Sequence, residues 1–310
     1  MIIAAVSEML LTTNRNTLQT FRVDCPLTEE ARETVCRLSD LRNFSIVVER
    51  GKPLPSLLLP NLTNLTVGYD HDDDCLEMFR GAAFGNLETI KFTSRSEQIG
   101  DFLGTFERLA LAASIKDTLS EFRLHTSRSW SPTFSSLLSF TQMRNLSVGF
   151  SCMGGCSSMV DDRIIINLAR AMPELESLML GDSPCRQIPT GVTAKGLSVL
   201  AHHCPNLSTL RIHFQVASLI NPPATIGMTP NVEPTALRRD CALRDLYVGR
   251  MPMPEQSVLM AALSLVRIFP QIDYIEATHE GWEKVLGAIN LSRQIVDRSG
   301  KQNSPLHTLK

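Results

Sequence analysis

The stretch 200-LAHHCPNLSTLRIHF-214 sets His202, His203, Cys204 and His213 within twelve residues. Imidazole and thiolate are zinc ligands, and a thiolate beside an imidazole is an activated nucleophile. A second candidate is 151-SCMGGCSS-158, where Cys152 and Cys156 share a Gly/Ser-rich loop. A redox or zinc role there needs partners that the neighbouring sequence does not supply. Asp72–Asp74, Asp161 and Asp162 could suit calcium, but no EF-hand spacing or glycine follows them. They are expected to be helix N-caps. The chain has no G-x-S-x-G, Walker A, G-x-G-x-x-G, H-E-x-x-H or paired C-x-x-C. Scattered Asp, His and Ser leave room only for a triad assembled in space.

Whether Cys204 is special depends on the elements that carry it. Ten segments share the form L-x-x-L-x-L, beginning at Leu18, Leu41, Leu62, Leu87, Leu119, Met143, Leu175, Leu207, Leu243 and Ile272. All thirty key positions are apolar, the weakest being Ala277, and the starts lie between 21 (62 − 41) and 36 (243 − 207) residues apart. That spacing is expected of an irregular leucine-rich repeat, in which a short strand alternates inward and outward residues and a return segment crosses back over the core.

Several return segments read as helices. Asp161 and Asp162 precede RIIINLARAM, Thr193 opens AKGLSVLAHHC, Asp72–Asp74 lead into CLEMFRGAAF, and EQSVLMAALSLVRIF spans 255–269. Three residues before the first leucine lies a slot filled by Leu38, Leu59, Phe84, Phe140, Met172, Cys204 and Phe269. The next position is proline four times (Pro60, Pro173, Pro205 and Pro270), which stops a helix before the strand begins. Cys204 thus fills a slot for large apolar side chains. It is expected to pack as core, with His202 and His203 on the solvent side of a helix end.

Composition narrows the remaining classes. Thirty basic against 32 acidic residues leave a net charge of −2, so no overall field for a nucleic acid exists. No apolar run approaches the length of a membrane helix, and the start, MIIAAVSEMLLTTN, lacks a basic n-region. The eight cysteines show no disulfide-framework spacing, so reduced thiols in cytoplasm or nucleus are expected.

GVTAKGLSVLAHHCPNLSTLRI is similar to the cysteine-containing repeat of F-box/leucine-rich-repeat proteins, and the irregular spacing resembles the fungal members. Elsewhere the pre-strand cysteine is absent, and Cys241 stands one residue out of register. The resemblance implies the substrate-binding part of an F-box-type ubiquitin-ligase subunit, a protein-binding role. The F-box is expected to be missing, because the first strand begins near Leu18 and MIIAAVSEMLL reads as the back helix of a repeat whose strand is absent. Docking to the ligase adaptor is therefore not expected.

The expected fold is α/β, a single right-handed solenoid of about ten repeats over residues 1–299, with a long insertion at 215–241 and a tail at 300–310. The insertion holds four prolines and no clear helix until its end. On the outward strand face one residue per repeat forms a ladder: Arg22, Ser45, Thr66, Lys91, Arg123, Ser147, Met179, Arg211, Tyr247 and Glu276. Two positions after the arginines come His125 and His213. Lys91, Arg123, His125, Arg211, His213 and Tyr247 are the expected partner-binding residues, for an acidic or phosphorylated protein segment. The plain alternative is an ordinary solvated sheet face, and the 215–241 insertion is a second candidate surface. No catalytic residue, metal, cofactor, nucleic acid or membrane is expected. A free-standing scaffold, or an enzyme whose site exists only in three dimensions, are the other readings.

Overall fold

The computed structural model describes residues 17–94 apart from 26, 53, 54, 56, 81 and 83. Beyond these it describes 103, 105–107, 115–126, 134–150, 160–181, 191–220, 241–249 and 251–302. Ten strands form one parallel sheet in strict sequence order. They are β1 (Thr20–Arg22), β2 (Asn43–Val48), β3 (Asn64–Tyr69), β4 (Thr89–Ser94), β5 (Glu121–Thr126), β6 (Asn145–Phe150), β7 (Ser177–Leu180), β8 (Thr209–Ile212), β9 (Asp245–Gly249) and β10 (Tyr274–Ala277). Every strand pairs with its sequence neighbours, as short parallel strands must when each is joined to the next by a crossover.

Each strand lies on one of the ten expected segments, and the reason is visible in burial. Twenty-eight of the thirty repeat positions are buried, and the two half-buried ones, Leu18 and Ala277, belong to the first and last repeats. Alternation does the rest, since residues between the buried ones must face outward. At all nine strand junctions one carbonyl accepts from two consecutive amides of the next repeat. Gln19 O takes Arg42 N and Asn43 N, Arg42 O takes Thr63 N and Asn64 N, and the pattern continues to Arg244 O with Asp273 N and Tyr274 N. One hydrogen-bond device thus sets the register nine times.

The return segments carry α1 (Glu29–Val35), α2 (Asp72–Glu77), α3 (Asp162–Ala171), α4 (Ala194–His203), α5 (Val216–Ile220), α6 (Val258–Ile268) and α7 (Gly281–Gln302), with short 3₁₀ turns at Ile115–Asp117 and Phe134–Leu137. Helix α3 begins as its sequence implies: Asp161 caps it by accepting from Ile164 N at 2.9 Å. Helix α4 is capped by Thr193, which accepts from Lys195 N at 3.1 Å. Three expectations need correction. Asp72–Asp74 are not caps but the first turn of α2, whose N-cap is His71. Their charges favour the positive helix end, and Asp74 Oδ2 also accepts from Gly51 N. Asp162 does not cap α3 either. It reaches the next repeat, where Oδ1 accepts from Thr193 N at 2.7 Å and Oδ2 accepts from Thr193 Oγ1 at 2.6 Å. The insertion begins with a helix rather than without one: α5 buries Leu219, and Leu219 O accepts from Ser264 Oγ on α6 at 2.6 Å. Helix α7 extends to Gln302, past the expected end of the array.

Candidate recognition face of the sheet

Cys204 is fully buried, and its thiol is pushed up to about 12 by burial, with the Cys241 thiol adding to the shift. It is the C-cap of α4, as Met172 and Phe269 are of α3 and α6, with ψ near 74°, 68° and 82°. Each then accepts a turn bond from the repeat's first apolar residue: Leu175 N to Met172 O, Leu207 N to Cys204 O, Ile272 N to Phe269 O. The cysteine adds one thing its neighbours lack. Its Sγ donates to Ala169 O and Met172 O of the preceding repeat, at 3.7 and 3.6 Å. Helix ends leave carbonyls without partners, and a buried thiol is a weak donor for them. Cys241 repeats the relation by donating to Cys204 O at 3.8 Å. Cys241 stands one residue out of register with that slot, and its thiol also meets Leu207 O at 3.9 Å.

A thiol so placed is a poor nucleophile and a poor ligand. His202 is exposed, with its ring edge-on to His203 at 4.9 Å between centroids, and His203 is held below the usual imidazole range by burial, by His202 and by Arg170. Among the described residues, no three His, Cys, Asp or Glu side chains are placed to hold a metal. The loop with Cys152 and Cys156 lies outside the described residues, as do residues 1–16, 221–240 and 303–310.

The ladder residues stand in register across the sheet. Arg22 pairs with Ser45, Thr66 with Lys91, Lys91 with Arg123, Arg123 with Ser147, Met179 with Arg211, Arg211 with Tyr247, and Tyr247 with Glu276. A second row on the same face lies two residues earlier. It contains Asn43, Asn64, Thr89, Glu121, Asn145, Ser177, Thr209, Asp245 and Tyr274. Asn64 Nδ2 donates to Asn43 Oδ1 at 2.8 Å, and Asn43 Nδ2 donates to Thr20 Oγ1 at 3.1 Å.

That second row holds what sequence reading missed. Glu121 Oε1 sits 3.2 Å from Lys91 Nζ and 2.6 Å from Arg123 Nε. Two expected partner-binding cations therefore share one carboxylate, and the patch keeps one net positive charge. A carboxylate two residues before an arginine on the same strand lies on the same face, and this spacing was the available signal. At the other end, the Arg211 guanidinium lies 5.6 Å from the centre of the Tyr247 ring, a cation–π contact. Tyr247 meets Tyr274 edge-on at 6.3 Å. The Tyr247 hydroxyl is raised above its usual range by burial, Asp245, Glu276 and Tyr274. His213, just past β8, is held below the usual imidazole range by burial and by Arg211. His125 sits beside Thr93 and Gly149 in register, away from this group.

The fold and its outward face define a class: an all-parallel α/β protein that presents a ruled grid of polar, charged and aromatic side chains. Neither a family model nor a curated protein sequence matches the chain. No helix among the described residues is long and apolar enough to cross a membrane.

Proposed function

We propose that this chain is a right-handed leucine-rich-repeat solenoid that recognises a protein partner on its ladder face. The observation that carries the reading is the register. Ten outward residues, among them Lys91, Arg123, Arg211 and Tyr247, follow one another strand by strand with no break in pairing order. Such a grid is preorganised, so a partner meets side chains already fixed in spacing. Arginine and tyrosine are the types that most often anchor interfaces, and a guanidinium grips a carboxylate or phosphate through two parallel hydrogen bonds. An acidic or phosphorylated partner segment suits the Lys91–Arg123 end. The reading assigns binding and no catalytic step.

The resemblance of the Cys204 repeat to F-box/leucine-rich-repeat proteins supports a role in substrate recognition for a ubiquitin ligase. Ubiquitination of the captured partner tests this part: loss of that modification when the chain is depleted from its native cells supports it, and a partner whose modification ignores the chain leaves a free-standing scaffold. For the face itself, Arg123→Glu and Arg211→Glu are each expected to weaken partner binding by about 2 kcal/mol, roughly thirtyfold, with the melting temperature nearly unchanged. Lys195→Glu, at the start of α4 on the helical back, should change nothing. Affinity that ignores both arginines overturns the reading.

A further inference from the structure

Resting on that reading, we infer that the partner segment is ampholytic: an acidic side chain docks at Lys91–Arg123 and a basic one, six to seven residues along, docks at the Tyr247–Tyr274 corner.

The two ends of the face differ in chemistry. Lys91 and Arg123 against Glu121 give two positive charges and one negative, a net of +1. Arg123 engages Glu121 through Nε, its side chain is 55% exposed, and the guanidinium's forked edge remains for a carboxylate or phosphate. At the far end Asp245 stands opposite Tyr274, and Tyr247 opposite Glu276. The four make a two-by-two checkerboard, tyrosines on one diagonal and carboxylates on the other. With Arg211 beside Tyr247 the described residues of the corner carry one positive and two negative charges, a net of −1.

A checkerboard of rings and carboxylates is a cation receptor, because ring faces and carboxylates both attract positive charge and the rings shed water easily. One tyrosine already shows this chemistry within the chain, since Arg211 lies against Tyr247. Among the described residues no cation lies over the Tyr274 ring, which is 47% exposed, stands opposite Asp245 and meets Tyr247 edge-on. A lysine or arginine laid against Tyr274 reaches both carboxylates. Asp245 and Glu276, after burial, add to the rise of the Tyr247 hydroxyl, which agrees with a negative corner.

Strand spacing converts this into a length. From β5 to β9 or β10 is four or five steps of about 4.8 Å, hence about 19–24 Å. An extended segment advances about 3.3 Å per residue and covers that distance in six to seven residues. Charge polarity then dictates direction, because a segment placed the other way sets like charges together at both ends.

The test uses the full chain and synthetic peptides bearing a phosphoserine–glutamate pair and a lysine pair separated by two to ten neutral residues, followed by fluorescence polarisation. Affinity should peak at six to seven residues, about tenfold above the two-residue spacing, and fall about tenfold in Tyr274→Ala and in Glu276→Lys. Peptides with the acidic pair alone that bind equally well, unaffected by Glu276→Lys but weakened by Arg123→Glu, overturn this inference and leave the recognition face intact. Binding indifferent to Arg123→Glu as well, or no binding at millimolar peptide, overturns both.

Discussion

The two halves of the molecule fill the space behind one continuous sheet in opposite ways. Before residue 141 the described return helices are short, α1 with seven residues and α2 with six, beside 3₁₀ turns of three and four. After residue 160 they are α3 and α4 with ten residues each, α5 with five, α6 with eleven and α7 with twenty-two. Among the described residues nine buried phenylalanines lie in the first half, and Phe214 and Phe269 in the second. Phe106 is the centre of the first arrangement, with ring centroids 5.1 Å from Phe122, 5.6 Å from Phe92, and 5.8 Å from both Phe79 and Phe140. In the first half large rings bridge sheet and back, and Phe106 at their centre is itself helical, as are residues 105 and 107. A parallel sheet of constant spacing tolerates either filling, because the interior must be dense but its contents are free.

The sharpest way to break that comparison is to remove one ring. Phe106→Ala should destabilise by about 3–5 kcal/mol, because four aromatic neighbours lose their common partner. Leu197→Ala in α4 should fall lower in the range of about 2–5 kcal/mol, since a helix can settle toward the gap. Urea unfolding of both variants decides it. Equal losses would mean that the aromatic half relaxes as readily as the helical half.

How far the sequence reveals this depends on which property is periodic. The ten strands and the ladder were legible because apolar residues recur at fixed offsets and a strand must alternate. The caps Asp161 and Thr193 were legible because short polar side chains stand directly before apolar helical runs. What escaped is set by contacts between repeats, which no local period carries. Asp162 reads as a second cap candidate, yet it bonds Thr193 in the following repeat, 31 residues on. Glu121 looks like an ordinary strand residue until Lys91 of the preceding strand is laid beside it. Cys241 stands one residue out of register by count, yet its thiol also meets a carbonyl of the preceding repeat.

The Asp162 link is the helical half's counterpart to the ring contacts, and it is the next largest effect. Its two oxygens take an amide and a hydroxyl of Thr193, so α3 and the start of α4 are tied at one carboxylate. Asp162→Ala should cost about 2 kcal/mol, the scale of hydrogen bonds to a charged group, whereas Asp161→Ala should cost about 1 kcal/mol as an ordinary cap. Thr193→Val removes the hydroxyl donor together with the cap that accepts from Lys195 N, and it should cost less in the Asp162→Ala background than in the native chain. Additive losses in that double-mutant cycle would show that the hydroxyl bond contributes nothing to the tie between α3 and α4.

The smallest effect lies at Cys204, where the two halves share a slot but fill it differently. Leu59 and Phe140 occupy it in the first half as bulky apolar groups, while in the second half Cys204 supplies a smaller side chain that also donates to carbonyls of the preceding helix end. Cys204→Ala should therefore cost only about 1 kcal/mol at pH 7, against about 2–5 kcal/mol for Leu59→Ala, and Cys204→Asp should prevent stable folding. Its titration adds a signature that the leucine lacks. The thiol rises in the fold from 9.0 to about 12, so its contribution is complete below pH 9. Above that pH the unfolded chain gains by ionising while the folded chain does not, and stability declines until the pH passes about 12. Unfolding curves between pH 7 and 11 should thus fall less steeply for Cys204→Ala than for the native chain. An unchanged slope would mean that Cys204 is no more buried than an ordinary surface thiol. Stoichiometric zinc in the native chain, lost in the alanine variant, would mean that the thiol is a ligand after all.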